Sequence, residues 1–127
     1  MKTAIISVKP EYVEKIFSGE KQFEYRKNYI NAPLFIIYES APTSAVVGIF
    51  NASVTKATPN YIWRYTSHVA GISKEAFFEY FNGKKEAFAY HIYGFIKFPK
   101  PIPLEYFGLK RPPQSFCYLK GGNNENN

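Results

Sequence analysis

Short apolar runs separated by Gly, Pro and polar clusters set the pattern of this chain, and their periods alternate between two and about 3.6. Thr3 to Val8 alternates around Ala4, Ile6 and Val8, with Ile5 adding bulk, and predicts a buried strand. Pro10 then opens a helix at a position where its missing N–H is harmless, with Glu11 and Glu14 near the positive end. Val13, Ile16 and Phe17 form its apolar stripe, Tyr12 lies at the margin, and Gly19 closes it. Lys21 to Lys27 returns to period two. Phe23 and Tyr25 face one way, and Gln22, Glu24 and Arg26 the other.

Leu34 to Tyr38 and Ala45 to Val54 read as strands, the second bent or bulged at Gly48. Pro59 to Ser67 has helical spacing. Ser73 is an N-cap for a helix over Lys74 to Asn82, whose core face is Phe77, Tyr80 and Phe81 and which Gly83 ends. Ala87 to Phe98 alternates as a long strand that Pro99, Pro101 and Pro103 should stop. Leu104 to Phe107 reads as one helical turn and Ser115 to Leu119 as a last short strand. Several long strands with few helices predict an α+β fold, a small mixed barrel rather than a doubly wound sheet.

Composition narrows the chemistry. A length of 127 residues with 46% apolar content predicts one domain with its own core. The polar segment 121–127 reads as a disordered tail beyond a domain at 1–120. All ten acids are Glu, which excludes a Ser-His-Asp triad and an Asp-based magnesium site. A single Cys117 excludes an internal disulfide and a multi-cysteine zinc site, and it reads as buried and inert. His68 and His91 lack ligand spacing and read as structural, so the expectation is no metal and no cofactor. No apolar run reaches the ~18 residues of a membrane span, and the N-terminus lacks signal-peptide features. The resulting expectation is a soluble, cytoplasmic domain without membrane contact.

The net charge of +6 is uneven. Six basic residues between Lys84 and Arg111 face only Glu86 and Glu105, a stretch of +4 interleaved with aromatics. This suits a polyanion with stackable bases, or else a solvated strand pair. The densest candidate chemistry is Gly19-Glu20-Lys21-Gln22-Phe23-Glu24-Tyr25-Arg26. Two cations flanking a carboxylate can grip phosphate and accept from a base edge; the alternative is an exposed ion pair worth under about 1 kcal/mol. Gln114 and Ser115, pre-extended by Pro112 and Pro113, are candidates to read a base or bind phosphate, or they belong to a chain end packed by Phe116 and Leu119. Trp63 and Arg64 form a possible stacking and phosphate pair, or a Trp covering the core. Lys9, just before the first helix, is either a cleft residue or a surface lysine.

The segment Val8 to Tyr12 followed by Gly19, Lys21, Glu24 and Arg26 resembles the ASCH domain family, small PUA-like barrels with the hallmark Gly-x-Lys-x-x-Glu-x-Arg. Tyr38 to Pro42, including Ser40, and Val47-Gly48 resemble the strand–turn–strand that follows in the family. Ile62-Trp63, Gly71 to Phe81 and Pro112 to Phe116 resemble a subgroup described as predicted transcriptional regulators. The resemblance implies a mostly antiparallel PUA-like barrel with two or three peripheral helices. It also implies a cleft that binds nucleic acid, RNA above DNA, or a nucleotide-like ligand. The residues implied there are Lys9, Lys21, Glu24, Arg26, Ser40, Trp63, Arg64, Gln114 and Ser115, with Lys21 and Arg26 on phosphate and Glu24 orienting Arg26 or accepting from a base amine. Its alternative implication is a hydrolase. Such an enzyme would be a metal-independent ribonuclease with Lys21 and Glu24 as acid and base, or a relative of the N4-acetylcytidine amidohydrolase branch. Lys21 matches the lysine of that branch, and Glu24 stands where it has a threonine.

Overall fold

A computed structural model describes residues 2–119, so the 121–127 tail lies outside the described residues. The strands β1 (Thr3–Val8), β2 (Phe23–Arg26), β3 (Leu34–Glu39), β4 (Ala45–Ala57), β5 (Ala87–Ile102) and β6 (Phe116–Tyr118) form one curled half-barrel sheet. Their spatial order is β2-β5-β4-β3-β1-β6. Only β1 and β3 pair in parallel; the other four pairings are antiparallel. The α+β mixed architecture is as the alternation pattern predicts, and its mostly antiparallel pairing is as the resemblance implies. The order leaves β2 and β6 as the two ends of the sheet, and the seam between them matters for function.

Three helices dress the sheet: α1 (Pro10–Ser18), α2 (Pro59–Thr66) and α3 (Lys74–Tyr80). Pro10 opens α1, and Gly19 ends it at φ +86°, a left-handed value favouring glycine. Thr58 and Ser73 cap the other two by accepting from Tyr61 N–H and Ala76 N–H. Inside the barrel, Ile6, Ile16, Phe35, Ile37, Phe50 and Tyr90 form the main core. A second cluster, with Tyr25, Ile62, Phe77 and Phe81, glues α2 and α3 to the outer face of β2 and β5. Cys117 packs half-buried under a third cluster around Ile5 and Leu104, and burial pushes its thiol pKa up.

Several boundaries differ from the sequence reading. β5 runs through Pro99 and Pro101 to Ile102. Its pairing with β2 ends at His91, with one further bond from Ile92 N–H to Gln22 O, so beyond Ile92 it needs ladder bonds only toward β4. Both prolines fall between the pairs Gly48–Lys97 and Val46–Ile102, where the register shifts. β2 begins at Phe23 rather than Lys21, because Lys21 N–H donates to Lys15 O and Gln22 N–H to Val69 O instead of joining a ladder. α3 stops at Tyr80, short of Asn82. The irregularity predicted at Gly48 is present. A Cβ there would sit 2.5 Å from Ile96 O and 2.6 Å from Phe17 Cζ, so only glycine fits without displacement.

Candidate functional site

A cavity of about 690 Å³ opens along the seam between β2 and the segment leading into β6, with the start of α1 and one face of α3 as its other walls. The octapeptide builds its floor. Period two places Glu24 and Arg26 on the same side of β2. Glu24 Oε2 accepts from Arg26 Nε at 3.0 Å and from Nη2 at 2.7 Å, and both side chains are 9% exposed. The pair is thus buried, not the exposed, weakly stabilising pair that spacing alone allows.

The phosphate-gripping role read for Arg26 meets a different geometry. Arg26 Nη1 donates to Ser115 O at 3.2 Å and to Ser115 Oγ at 3.0 Å, and Nη2 also donates to Ser7 O at 3.1 Å. With the two bonds to Glu24, all five guanidinium N–H groups are used. Arg26 therefore fastens β2 to β1 and to the chain entering β6, closing the seam that hydrogen-bonded strands leave open. Ser115 reinforces this through its carbonyl, which also accepts from Ser7 N–H, while Ser7 Oγ donates to Pro113 O at 2.6 Å.

Lys21 is 4% exposed, and its Nζ donates to Ala70 O at 2.9 Å. The ammonium also lies over the rings of Tyr25 and Tyr12, at 4.7 and 5.4 Å from their centroids. Among the described residues, Nζ makes no other hydrogen bond and no ion pair, so two of its three N–H groups have no protein acceptor, and Lys21 lines the cavity. Likewise no described group donates to Glu24 Oε1. Burial lowers the Lys21 pKa; the nearby Glu24 charge opposes this, and Arg26 and Lys15 add to it. Burial raises the Tyr12 and Tyr80 pKa values, keeping both phenols protonated as donors at the cavity wall.

The loop that holds Lys21 depends on Gly71. This residue has φ +65°, and a Cβ there would overlap Lys21 Cβ and lie 2.8 Å from its Cγ. Gly71→Ala is expected to lower stability by about 1–3 kcal/mol through backbone strain alone. It should also displace Lys21, so thermal denaturation and a cleft assay should both show a loss. Unchanged values in both would mean that the loop yields freely.

Of the residues singled out from sequence, Lys9, Lys21, Glu24, Arg26, Gln114 and Ser115 converge on this cavity. Three do not line it. Ser40 sits at the end of β3, where its N–H and Oγ donate to Val8 O at 3.0 and 3.4 Å. Trp63 is half-buried against Phe77 and Phe78 as cover for the second core. Arg64 is exposed on α2. The helical phase explains the last two, since Ile62 and Thr66 occupy the buried side of α2. Sequence reading missed Tyr12, Lys27 and Tyr80 as wall residues. Tyr80 was read as core, yet it lies at the rim with Lys27 Nζ 4.6 Å above its ring. Basic and aromatic residues flanking the octapeptide and α3 were the available signal. Among the described residues no three His, Cys or Glu side chains are grouped as a metal site, and no helix is long and apolar enough to cross a membrane.

Comparison with known proteins follows the same outline. The profile of the ASCH domain matches residues 6–101. The "ASCH domain-containing ribonuclease" of Zymomonas mobilis is 28% identical over 131 residues, covering 94% of this chain and 85% of that protein. The crystal structure of ASCH from Zymomonas mobilis superposes with a TM-score of 0.86 at 27% identity, over 95% of this chain and 90% of that one. From Ureaplasma parvum, "Large ribosomal subunit protein uL22" is 33% identical over 122 residues and "ATP synthase subunit alpha" 30% over 122 residues. Each match covers 93% of this chain, which spans 39% and 15% of those two relatives. These matches lend no support to the regulator subgroup.

Proposed function

Because the chain belongs to the ASCH domain family, we propose that its seam cavity takes one unstacked nucleotide of single-stranded RNA and that Lys21 and Glu24 cleave the adjoining phosphodiester without a metal ion. The observation that carries this reading is the pairing of a buried ammonium with free N–H groups and a buried carboxylate with a free oxygen in one cavity. The name of the Zymomonas relative as a ribonuclease supports it.

In the proposed step Glu24 Oε1 accepts the proton of the ribose 2′-hydroxyl as its oxygen bonds to phosphorus. The bond from phosphorus to O5′ breaks, and Lys21 Nζ gives that oxygen a proton. A lowered pKa suits Lys21 to the acid role, because a general acid works best when its pKa lies near the operating pH. Arg26 holds Glu24 in place through two hydrogen bonds to Oε2 and leaves Oε1 free. The Tyr12 and Tyr80 rings supply apolar and hydrogen-bonding surface for a base.

The test incubates the protein with labelled single-stranded RNA in EDTA and follows rate against pH. Fragments ending in a 2′,3′-cyclic phosphate are expected. Activity should fall at high pH, as Lys21 loses its proton, with a midpoint below the ordinary lysine value of 10.5. Retention of RNA without product would reduce the site to a binding module. Absence of both binding and product would remove the reading altogether.

A further inference from the structure

Among the described residues four polar or charged side chains are buried, and three of them, Lys21, Glu24 and Arg26, line the cavity. The fourth, Thr66 at the end of α2, does not line it and is 1% exposed. The Thr66 hydroxyl lies 2.7 Å from Ile62 O and 2.7 Å from the Tyr25 hydroxyl. A hydroxyl has one proton to give, and a carbonyl can only accept. Thr66 therefore donates to Ile62 O, and Tyr25 donates to Thr66. The Tyr25 ring is one of the two that Lys21 Nζ lies over, at 4.7 Å. Beyond Thr66 the chain makes one tight turn over Ser67–Val69 and arrives at the residues that hold Lys21 directly. Val69 O accepts from Gln22 N–H at 2.8 Å, Ala70 O accepts from Lys21 Nζ at 2.9 Å, and Gly71 lies against the Lys21 stem. Segments 66–71 and 21–25 are thus bonded at three points: Gln22–Val69, Lys21–Ala70 and Tyr25–Thr66.

We infer that Thr66 is a positioning residue for the proposed cleavage: by accepting the Tyr25 hydrogen bond it ties segment 66–71 to β2, and so holds the Ala70 carbonyl and the Gly71 backbone against Lys21. The inference rests on the reading of Lys21 as the acid. The backbone bond Gln22–Val69 alone would leave the segment free to pivot about it, and the Tyr25–Thr66 bond, three residues earlier, fixes its direction. The apolar packing of Tyr25 against Phe77 does not supply that direction. Such packing is non-directional, whereas a hydrogen bond weakens steeply away from its preferred angle. The consequence for Lys21 is shelter from water. Burial is the largest cause of its lowered pKa; Glu24 opposes it, and Arg26 and Lys15 add to it. Those charges stand on β2 and α1. Lys9, Tyr12, Lys27, Glu79 and Tyr80 line the same cavity. Segment 66–71 adds no buried charge, because His68, its one titratable residue, is exposed. Loosening the segment therefore changes water access to Lys21 and leaves the surrounding charges in place.

The test follows the Lys21 ammonium itself. It is titrated by NMR in full-length protein with labelled lysines, Lys21→Met identifying its signal, and RNA cleavage is measured beside it. Thr66→Val keeps the shape of the side chain and removes the hydroxyl. In that variant the Lys21 titration should move up toward the ordinary lysine value of 10.5 as water enters. The kcat should fall about ten- to a hundredfold with KM close to that of the parent, and the high-pH limb of the rate should move with the titration. Thr66→Ser, which keeps the hydroxyl, should restore both. Thr66→Val also strands the Tyr25 donor, so it is paired with Tyr25→Phe, which removes both hydroxyls and leaves no buried orphan. The pair should regain thermal stability and keep the shifted titration. The role is overturned if Lys21 titrates in Thr66→Val as it does in the parent. It is also overturned if the shift vanishes in the paired variant, since the stranded hydroxyl and not the lost tie would then be its cause. Failure of the cleavage reading is distinguishable: a parent that cuts no RNA removes the acid role of Lys21, while the titration still reports whether Thr66 shelters it.

Discussion

Lys21→Met is expected to reduce RNA cleavage by about 10²–10⁴-fold, the usual contribution of one positioned acid or base, while the folded state persists. Methionine has nearly the length and flexibility of the lysine stem, so the space beneath Tyr12 and Tyr25 stays filled. The loss of the bond to Ala70 O is offset by removal of a charge from a site that is 4% exposed. Lys21→Arg sharpens the result. A guanidinium keeps the charge but does not release a proton in the working range, so binding should survive better than turnover. A stability readout separates chemistry from folding. Because burial lowers the folded-state pKa of Lys21, the unfolded chain holds that proton more tightly. Between the two pKa values the parent protein should therefore gain stability as pH rises. The methionine variant should lack that slope and be at least as stable at neutral pH. Cleavage by Lys21→Met within tenfold of the parent would remove Lys21 from the chemistry.

Arg26→Met is expected to be the most damaging single change to the fold at the site. It removes five hydrogen bonds at once and leaves Glu24 buried beside an apolar side chain. Stranding one partner of a buried pair costs about 3–5 kcal/mol. For a domain of this size that is a drop in Tm of about 10–20 °C. The β2–β6 seam loses its cross-link as well, so hydrogen exchange should quicken around Ser7 and Ser115. Pairing Arg26→Met with Glu24→Leu should recover much of the stability, because no uncompensated charge remains, and should recover none of the activity. A loss below about 1 kcal/mol in the single variant would show a solvated pair of the surface kind.

These two residues also mark how far linear pattern reaches. The spacing of Glu24 and Arg26 is enough to put them on one face of β2, because strand side chains alternate. Lys21 stands out by type and position, at the step from helix to strand. Spacing carries no burial, however, so an exposed pair and a buried one read alike. Arg26's other partners, Ser7 and Ser115, lie 19 and 89 residues away. The acceptor of Lys21, Ala70, is 49 residues away, in a loop shaped by Gly71. Trp63 and Arg64 lie away from the cavity for the same reason. A Trp–Arg pair looks alike on a helix that faces a cleft and on one that covers a core, and only packing against Phe77 separates the two.

Local preference was sufficient for the elements and their class. Apolar periodicity, the Pro10 start, the Ser73 cap and the Gly19 stop act within a turn or a few strand residues, so they are written in neighbouring positions. Those signals also brought the octapeptide to one stretch of backbone. Its chemistry came from elsewhere in the chain. Sheet order left β2 and β6 unpaired with each other, Arg26 closed the gap, and the Ala70–Gly71 loop buried Lys21 with two donors free. The charge state and availability of a side chain depend on its desolvation and on its partners, and here both are supplied by residues distant in sequence. The same holds for β5, which sequence ended at its prolines. Its role as an edge beyond Ile92, and hence its length, follows from which strand lies beside it.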